Sequence, residues 1–449
     1  MIPQSGREGD EAAVDVQHRL AHLEKGDVFR TLELPDSFVI GLDTMAVTTS
    51  KSLQGFRDIP PGTHFLWVQQ PGSVSRCGYW FVTEDRGRMR IKEWNRYDET
   101  MGEPAGQSGA LEKRNRMRSI YPTLQPYTLH GQGHQAPGPK DGTLPDWARS
   151  PSSLWDTLTS TISTQSLGRI TGKQDTREYL IDSMDSAKGA FPSTNNELDF
   201  LFAQDFRDLQ VLDLGSAKAR VADTSSRVQA FLTHTNTNTT ATTEQAILAE
   251  LQFTFLTGTH LGNASCLEQW WNLTLKLVLR SYTLALSHPR LTSQLLQTLH
   301  AQLFYTEHYF APAASGSGSE GAEEERCGIG RGGGGGGDGP SSDRPVFQYK
   351  PLYWGKLRLV LAEYKTRLGG LLAGLGSGVT PEQEAVGVVF GELEAWLGRR
   401  GWELGERGGP GQGGGGEGVV DSEDEEDEQP VVVELDGEGR EVGLVSFRD

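Results

Sequence analysis

The chain has 449 residues, enough for two or three domains, but its 36% hydrophobic content and 56 glycines lie off the globular average. Both point to inserted low-complexity sequence, so the folded part is shorter than the chain. The net charge is −18, of which residues 403–449 supply −12; the rest is nearly balanced and offers no basic stripe of the kind that nucleic acid requires.

Three widely spaced cysteines, Cys77, Cys266 and Cys327, argue against a disulfide framework and against a zinc site built on cysteine pairs, and imply a reducing compartment. The opening residues MIPQSGREGDEAAVDVQ contain no apolar h-region, and no apolar run reaches the ~18 residues of a membrane span. The sequons at Asn238, Asn263 and Asn272 are therefore expected to stay unmodified.

After a polar stretch (1–26), five segments read as strands: Val28 to Leu34, Phe38 to Asp43, Thr63 to Gln69, Gly78 to Glu84 and Met89 to Asn95. Their lengths and spacing predict a β-rich domain over 27–143, a sandwich or open barrel, with Asp85 to Gly87 as a hairpin signal between the last two. Leu111 to Ile120 reads as a charged surface helix, and His130 to Gly142 as a linker.

From residue 144 to 401 the pattern is helical. Ser150 before Pro151 gives an N-cap with proline at the first helical position, and Leu154, Trp155, Leu158 and Ile162 share one face. Thr242 with Gln245, and Ser265 with Glu268, have capping-box spacing ahead of apolar runs. The second run carries Leu267, Trp270, Trp271, Leu277, Val278 and Tyr282 as a stripe that ends at His288 and Pro289. Leu291, Leu295, Leu296, Leu299 and Leu303 repeat it, so consecutive helices must stack. A Gly, Ser and Glu insert (313–343) is expected to be disordered; helical pattern then resumes at Leu352, and Thr380, Pro381 and Gln383 cap a last helix facing inward with Val386, Val389, Phe390, Leu393 and Leu397.

The final segments are a Gly-rich and acidic tether (402–429) and a tail (430–449). PVVVEL places Val431, Val432, Val433, Glu434 and Leu435 just after an acidic run and shows no hairpin partner close by. Valine fits a pleated, half-buried surface, and a strand on a flexible arm can add itself to the sheet edge of another protein. A strand folded back onto the chain's own sheet, or an unstructured tail, fits the same residues. Ser422, followed by six carboxylates, has the context of an acidophilic-kinase substrate; an unmodified serine in a solvated acidic run fits equally.

Catalytic and ligand motifs do not assemble. Gly328, Gly330 and Gly333 match a dinucleotide fingerprint only inside polyglycine, and Gly168, Gly172 and Lys173 resemble a phosphate loop one residue short, with Gln174 where a magnesium-binding hydroxyl should stand. His130 and His134 lack accompanying ligands, His300 and His308 read as flank or cap residues of a helix, and His64 as a core histidine with one satisfied nitrogen. The chain reads as a non-enzyme with no cofactor and no metal.

Three stretches together resemble a known family. IPPGTHFL (Ile59 to Leu66), ELQFTFL (Glu250 to Leu256) with LEQW (Leu267 to Trp270), and the tail PVVVEL are similar to the a1-alpha2 repression splicing factor family of U5 snRNP assembly factors, and LELPDSFVIGLD and GFRDIPPG extend the first match. The resemblance implies an α+β protein of two domains, the second all-helical and VHS-like. It further implies a non-catalytic role in pre-mRNA splicing, in cytoplasm and nucleus. The partner would be the large central U5 scaffold protein, met at its ribonuclease-H-like and MPN-like domains, with Val431 to Leu435 inserted as a strand and helicase association delayed. The chain would act as a monomer in a heteromeric complex, without direct contact to nucleic acid or membrane. The polyglycine insert and acidic run depart from the family pattern. A helical VHS-type adaptor in membrane traffic is the alternative, and the missing basic face argues against it.

Overall fold

The computed structural model describes residues 23–50, 53–73, 75–84, 87–104, 117–128, 145–173, 178–189, 197–203, 223–234, 240–310, 351–402, 404, 433–435 and 441–444. The insert, the acidic run with Ser422, Val431 and Val432, Cys327, and the histidines at 130 and 134 lie outside these. Two compact units divide the chain, Met1–Gly405 and Glu406–Asp449.

The first unit opens with nine strands: β1 (Asp27–Leu32), β2 (Val39–Leu42), β3 (Met45–Thr48), β4 (Gly55–Ile59), β5 (Gly62–Gln69), β6 (Arg76–Thr83), β7 (Met89–Asn95), β8 (Thr100–Gly102) and β9 (Gln125–Pro126). With β10 (Glu178–Asp182) they form two five-stranded sheets, ordered β8-β7-β1-β4-β9 and β10-β6-β5-β2-β3. The five expected strands are all present. The hairpin expected at Asp85 to Gly87 is not, because β6 and β7 belong to different sheets and β7 runs parallel to β1, with Val28 opposite Met89. Gly87 owes its place to a close approach instead: a Cβ there would lie 2.1 Å from the carbonyl oxygen of Leu23.

The second sheet is buried on both faces, which explains the unbroken apolar runs of β5 and β6. Leu66, Val68, Tyr79 and Phe81 turn toward the first sheet and meet Phe29, Phe56 and Trp94. Phe65, Trp67 and Trp80 turn the other way, into the helices. A ladder of charges ties the two sheets together. Arg90 on β7 donates to Asp27 (3.0 Å) and to Glu178 on β10 (3.0 Å), while Lys92 reaches Glu178 and Glu103, both at 2.5 Å. Burial opposes ionisation of Glu178, but the two cations hold its carboxyl below the ordinary range.

Besides the single turns Met117–Ile120 and Leu284–Ser287, the described helices are α1 (Pro151–Thr159), α2 (Thr164–Thr171), α3 (Ser225–His234), α4 (Thr240–Leu261), α5 (Ala264–Asn272), α6 (Pro289–Tyr305), α7 (Pro351–Leu375) and α8 (Pro381–Gly398). Helices thus carry the C-terminal region as expected, with β10 and the short parallel pair β11 (Ser186–Ala187) and β12 (Glu197–Leu198) added near its start. Tyr179 and Ile181 of β10 complete the apolar face that the second sheet offers the helices. Ser150 caps α1 by accepting from the Ser153 amide (3.1 Å), and Thr380 with Gln383 forms a capping box on α8, both as their sequences predict. Elsewhere the caps move. Thr242 lies inside α4, and the cap of α5 is Asn263, which accepts from the Cys266 amide at 2.8 Å; Ser265 instead accepts from the Ala187 amide. The Trp270 stripe is not one α-helix: α5 passes into a π-turn at Leu273–Leu277 and a 3₁₀ turn at Val278–Arg280. Gly172 is the left-handed C-cap of α2, which disposes of the phosphate-loop reading.

From Ile247 to Leu261, α4 is buried on every side, because it lies between the second sheet and the other helices. Gly258 permits close crossing of α5, since a Cβ there would stand 2.9 Å from the Leu267 side chain.

Candidate protein interface

The site expected from the sequence is the tail. In the second unit, Val433–Leu435 forms β13, paired antiparallel with β14 (Glu441–Leu444); Val433 faces Leu444, Glu434 faces Gly443, and a bulge precedes Leu435. This corrects the expectation of a strand without a hairpin partner. Gly443 lies inside the partner strand and weakens its sequence signal, which is why the pairing was not legible. Among the described residues no third strand pairs with this hairpin, and an isolated two-stranded hairpin is marginal in water. Val431 and Val432 lie outside the described residues, as does Ser422.

The motifs quoted from the first unit serve a different purpose: they join the layers. Glu250 of α4 is fully buried; its carboxylate accepts from the Leu201 amide (2.9 Å), Gln269 Nε2 (2.8 Å) and Arg169 Nη2 (2.7 Å). Desolvation raises its pKa, against the pull of Arg169. Gln252, two residues on and on the other side of α4, accepts from the Thr161 amide (3.0 Å) and donates to Thr157 O (3.1 Å), which fixes α1 to α4. Trp270 Nε1 donates to Gln302 Oε1 (2.7 Å), and Gln302 Nε2 donates to Leu251 O (3.0 Å), which fixes α5 and α6 to α4. Trp80 and Trp155 add the β-to-helix links, donating to Thr257 Oγ1 and Thr63 O, each at 2.9 Å. The side chains of Glu250, Gln252, Gln269, Trp270, Gln302, Trp80 and Trp155 are buried and hydrogen-bonded, so each specifies an arrangement that apolar packing alone would leave loose.

A second buried network joins LELPDSFVIGLD to IPPGTHFL. Asp43, in the left-handed region (φ +56°) at the β2–β3 turn, accepts from the Phe65 amide (2.8 Å), the Tyr127 hydroxyl (2.6 Å) and His64 Nδ1 (2.6 Å). His64 Nε2 faces the Pro60 carbonyl at 2.9 Å. Both nitrogens of His64 are therefore satisfied, not one, and both face groups that accept; the ring carries two protons. Burial opposes that charge, but Asp43 outweighs it and lifts the pKa above the ordinary histidine value. His260 is the contrast. It sits among Phe65, Trp67 and Tyr305, and burial with Arg76 nearby pushes its pKa down to about 3, so it is neutral. His300 is likewise a core residue, not the flank residue its sequence suggested: it meets Trp147 edge-on, 4.9 Å between centroids, and burial holds its pKa at about 3. His308 lies in the π-turn Thr306–Phe310 that follows α6 and stacks on Phe304. Burial raises the pKa of Cys77 to about 11 and that of Cys266 as well, so both thiols stay protonated.

Among the described residues no group of three or more His, Cys, Asp and Glu could hold a metal ion, and no helix is long and apolar enough to cross a membrane. Asn263 is wholly buried and donates to Asp182 O (2.9 Å) and Asp185 O (2.8 Å), which leaves its amide no room for a glycan.

The first unit is thus a two-sheet β region bonded through buried polar side chains to a helical stack, and the second carries the β13–β14 pair. The sequence matches the AAR2 N-terminal domain over residues 25–172 and the AAR2 C-terminal repeat region over residues 217–404. The chain belongs to the AAR2 family. It is also similar to a Caenorhabditis elegans protein described as "Protein AAR2 homolog", 28% identical over 97 residues, or 21% of this chain. That alignment spans 27% of the relative's own length.

Proposed function

We propose that the chain is a non-catalytic assembly factor for the U5 snRNP in pre-mRNA splicing, acting in cytoplasm and nucleus. Its partner on this reading is the large central U5 scaffold protein, bound at ribonuclease-H-like and MPN-like domains, and its presence there delays the helicase. Family membership supports the assembly role, and the observation that carries the binding mode is the β-forming tail, set in a unit of its own, whose hairpin has no third strand among the described residues.

Strand addition requires backbone N–H groups, and successive residues of a strand direct theirs to opposite edges. Proline at Val433 and, separately, at Glu434 therefore removes one donor from each edge of β13, while threonine at the same positions keeps strand geometry. Calorimetry with the purified scaffold protein should show at least one proline variant binding about tenfold more weakly than its threonine counterpart, the equivalent of roughly 1.4 kcal/mol. Equal affinities for proline and threonine at both positions would refute strand addition.

A further inference from the structure

Two large apolar side chains stand out from the β layers on turns that are otherwise locked. Tyr97, on the turn between β7 and β8, is 97% exposed, and Met184, on the turn after β10, is 79% exposed. The Tyr97 turn is held by its own amide donating to Asn95 Oδ1 (2.9 Å), by Asn95 Nδ2 donating to Asp98 (2.5 Å), and by immediate pairing of Asn95 with Thr100. The Met184 turn is held more tightly. The Met184 amide donates to Asp182 Oδ1 (2.7 Å), the Ser183 amide to Arg76 O (2.9 Å), and buried Asn263 grips the carbonyls of Asp182 and Asp185 from below.

The topology brings the two turns to one end of the β region. Asp182, two residues before Met184, pairs with Cys77 on β6. Two residues along β6, the Tyr79 hydroxyl donates to the carbonyl of Met101 on β8. Met101 pairs with Trp94, and the β7–β8 ladder closes one residue further on, directly beneath Tyr97. A single exposed apolar side chain is ordinary. Two of them on preorganised turns at the same end are different, since a partner could bury both without ordering any backbone. The surroundings set the sign of that partner: Asp98 and Glu99 are exposed beside Tyr97, against Arg96 alone on the same turn, while Glu103 is already paired with Lys92.

We propose that this end of the β layers is a protein docking surface, with Tyr97 and Met184 as its anchors, that fits a partner face bearing lysine or arginine beside apolar dimples. The surface deepens the function proposed above and rests on it: the occupant is the same scaffold protein, met by the folded unit independently of the tail.

The test uses the full chain and the purified scaffold protein. Tyr97→Ala and Met184→Ala should each weaken binding about tenfold, and the double variant about a hundredfold, with thermal midpoints unchanged because neither side chain packs on the core. Tyr97→Phe should bind nearly as wild type, and Asp98→Asn with Glu99→Gln should flatten the salt dependence of association. A double alanine variant with wild-type affinity, its tail-proline counterpart still impaired, overturns this surface and leaves the proposed function standing. Failure of the wild-type chain itself to bind overturns both.

Discussion

Asp43→Asn tests the buried network at its hub. In the wild type the carboxylate accepts three hydrogen bonds and balances the charge on His64, with both side chains almost wholly buried. The substitution keeps the shape but replaces an acceptor with a donor where Tyr127 and His64 both point. His64 then loses its proton at Nδ1 or stays charged without a counter-ion; removing one member of a buried pair costs about 3 to 5 kcal/mol. Against a total stability of roughly 5 to 15 kcal/mol, that is a large share. The pH dependence separates this account from simple loss of packing. Because the pKa of His64 is raised on folding, its stabilising contribution is complete below the unfolded value of 6.5 and is lost as pH rises through the folded value. Asp27, paired with Arg90, is the other charged group that acts on the ring and is unchanged in the variant. Urea unfolding between pH 6 and pH 9 should therefore show wild-type stability falling as pH rises above 6.5. In Asp43→Asn that fall should be absent or greatly reduced, on a curve displaced downward. Parallel curves, or a displacement under about 1 kcal/mol, would refute a buried imidazolium.

Trp270→Ala should cost about 3 to 5 kcal/mol in denaturant unfolding, since it empties a fully buried site and strips Gln302 Oε1 of its donor; a variant of unchanged stability that loses its partner would make Trp270 a binding anchor instead. Phosphorylation of Ser422 adds roughly −1.5 to −2 charge to a segment already acidic, so the affinity of the phosphorylated chain should be modestly lower than that of Ser422→Ala at low salt and equal to it at high salt. Identical affinities at both salt concentrations would leave Ser422 without a part in this contact.

What the sequence determined by itself is the local grammar. Ser150 with Pro151 and Thr380 with Gln383 name their own helix starts, because a cap is a contact between residues three apart. Strands β1, β2, β5, β6 and β7 were likewise legible, since runs rich in β-branched and aromatic side chains bounded by turn residues announce themselves. Strands β3, β4 and β8 to β12, none longer than five residues, were not. Partnership was decided elsewhere. Nothing local tells β7 to leave β6 and run beside β1, or places Gly443 opposite Glu434. Nor does a residue's type say what covers it: His64 and His260 read alike in the chain, yet one lies against a carboxylate and is charged, while the other is enclosed by aromatic rings and is neutral. Glu250 and Gln252 are polar, yet both are wholly buried, because layers close over α4 on both sides. Alternation and periodicity state which residues share a face; which neighbour meets that face, and so which charges, donors and turns remain exposed, depends on contacts between residues tens to hundreds of positions apart, which only the assembled structure brings together.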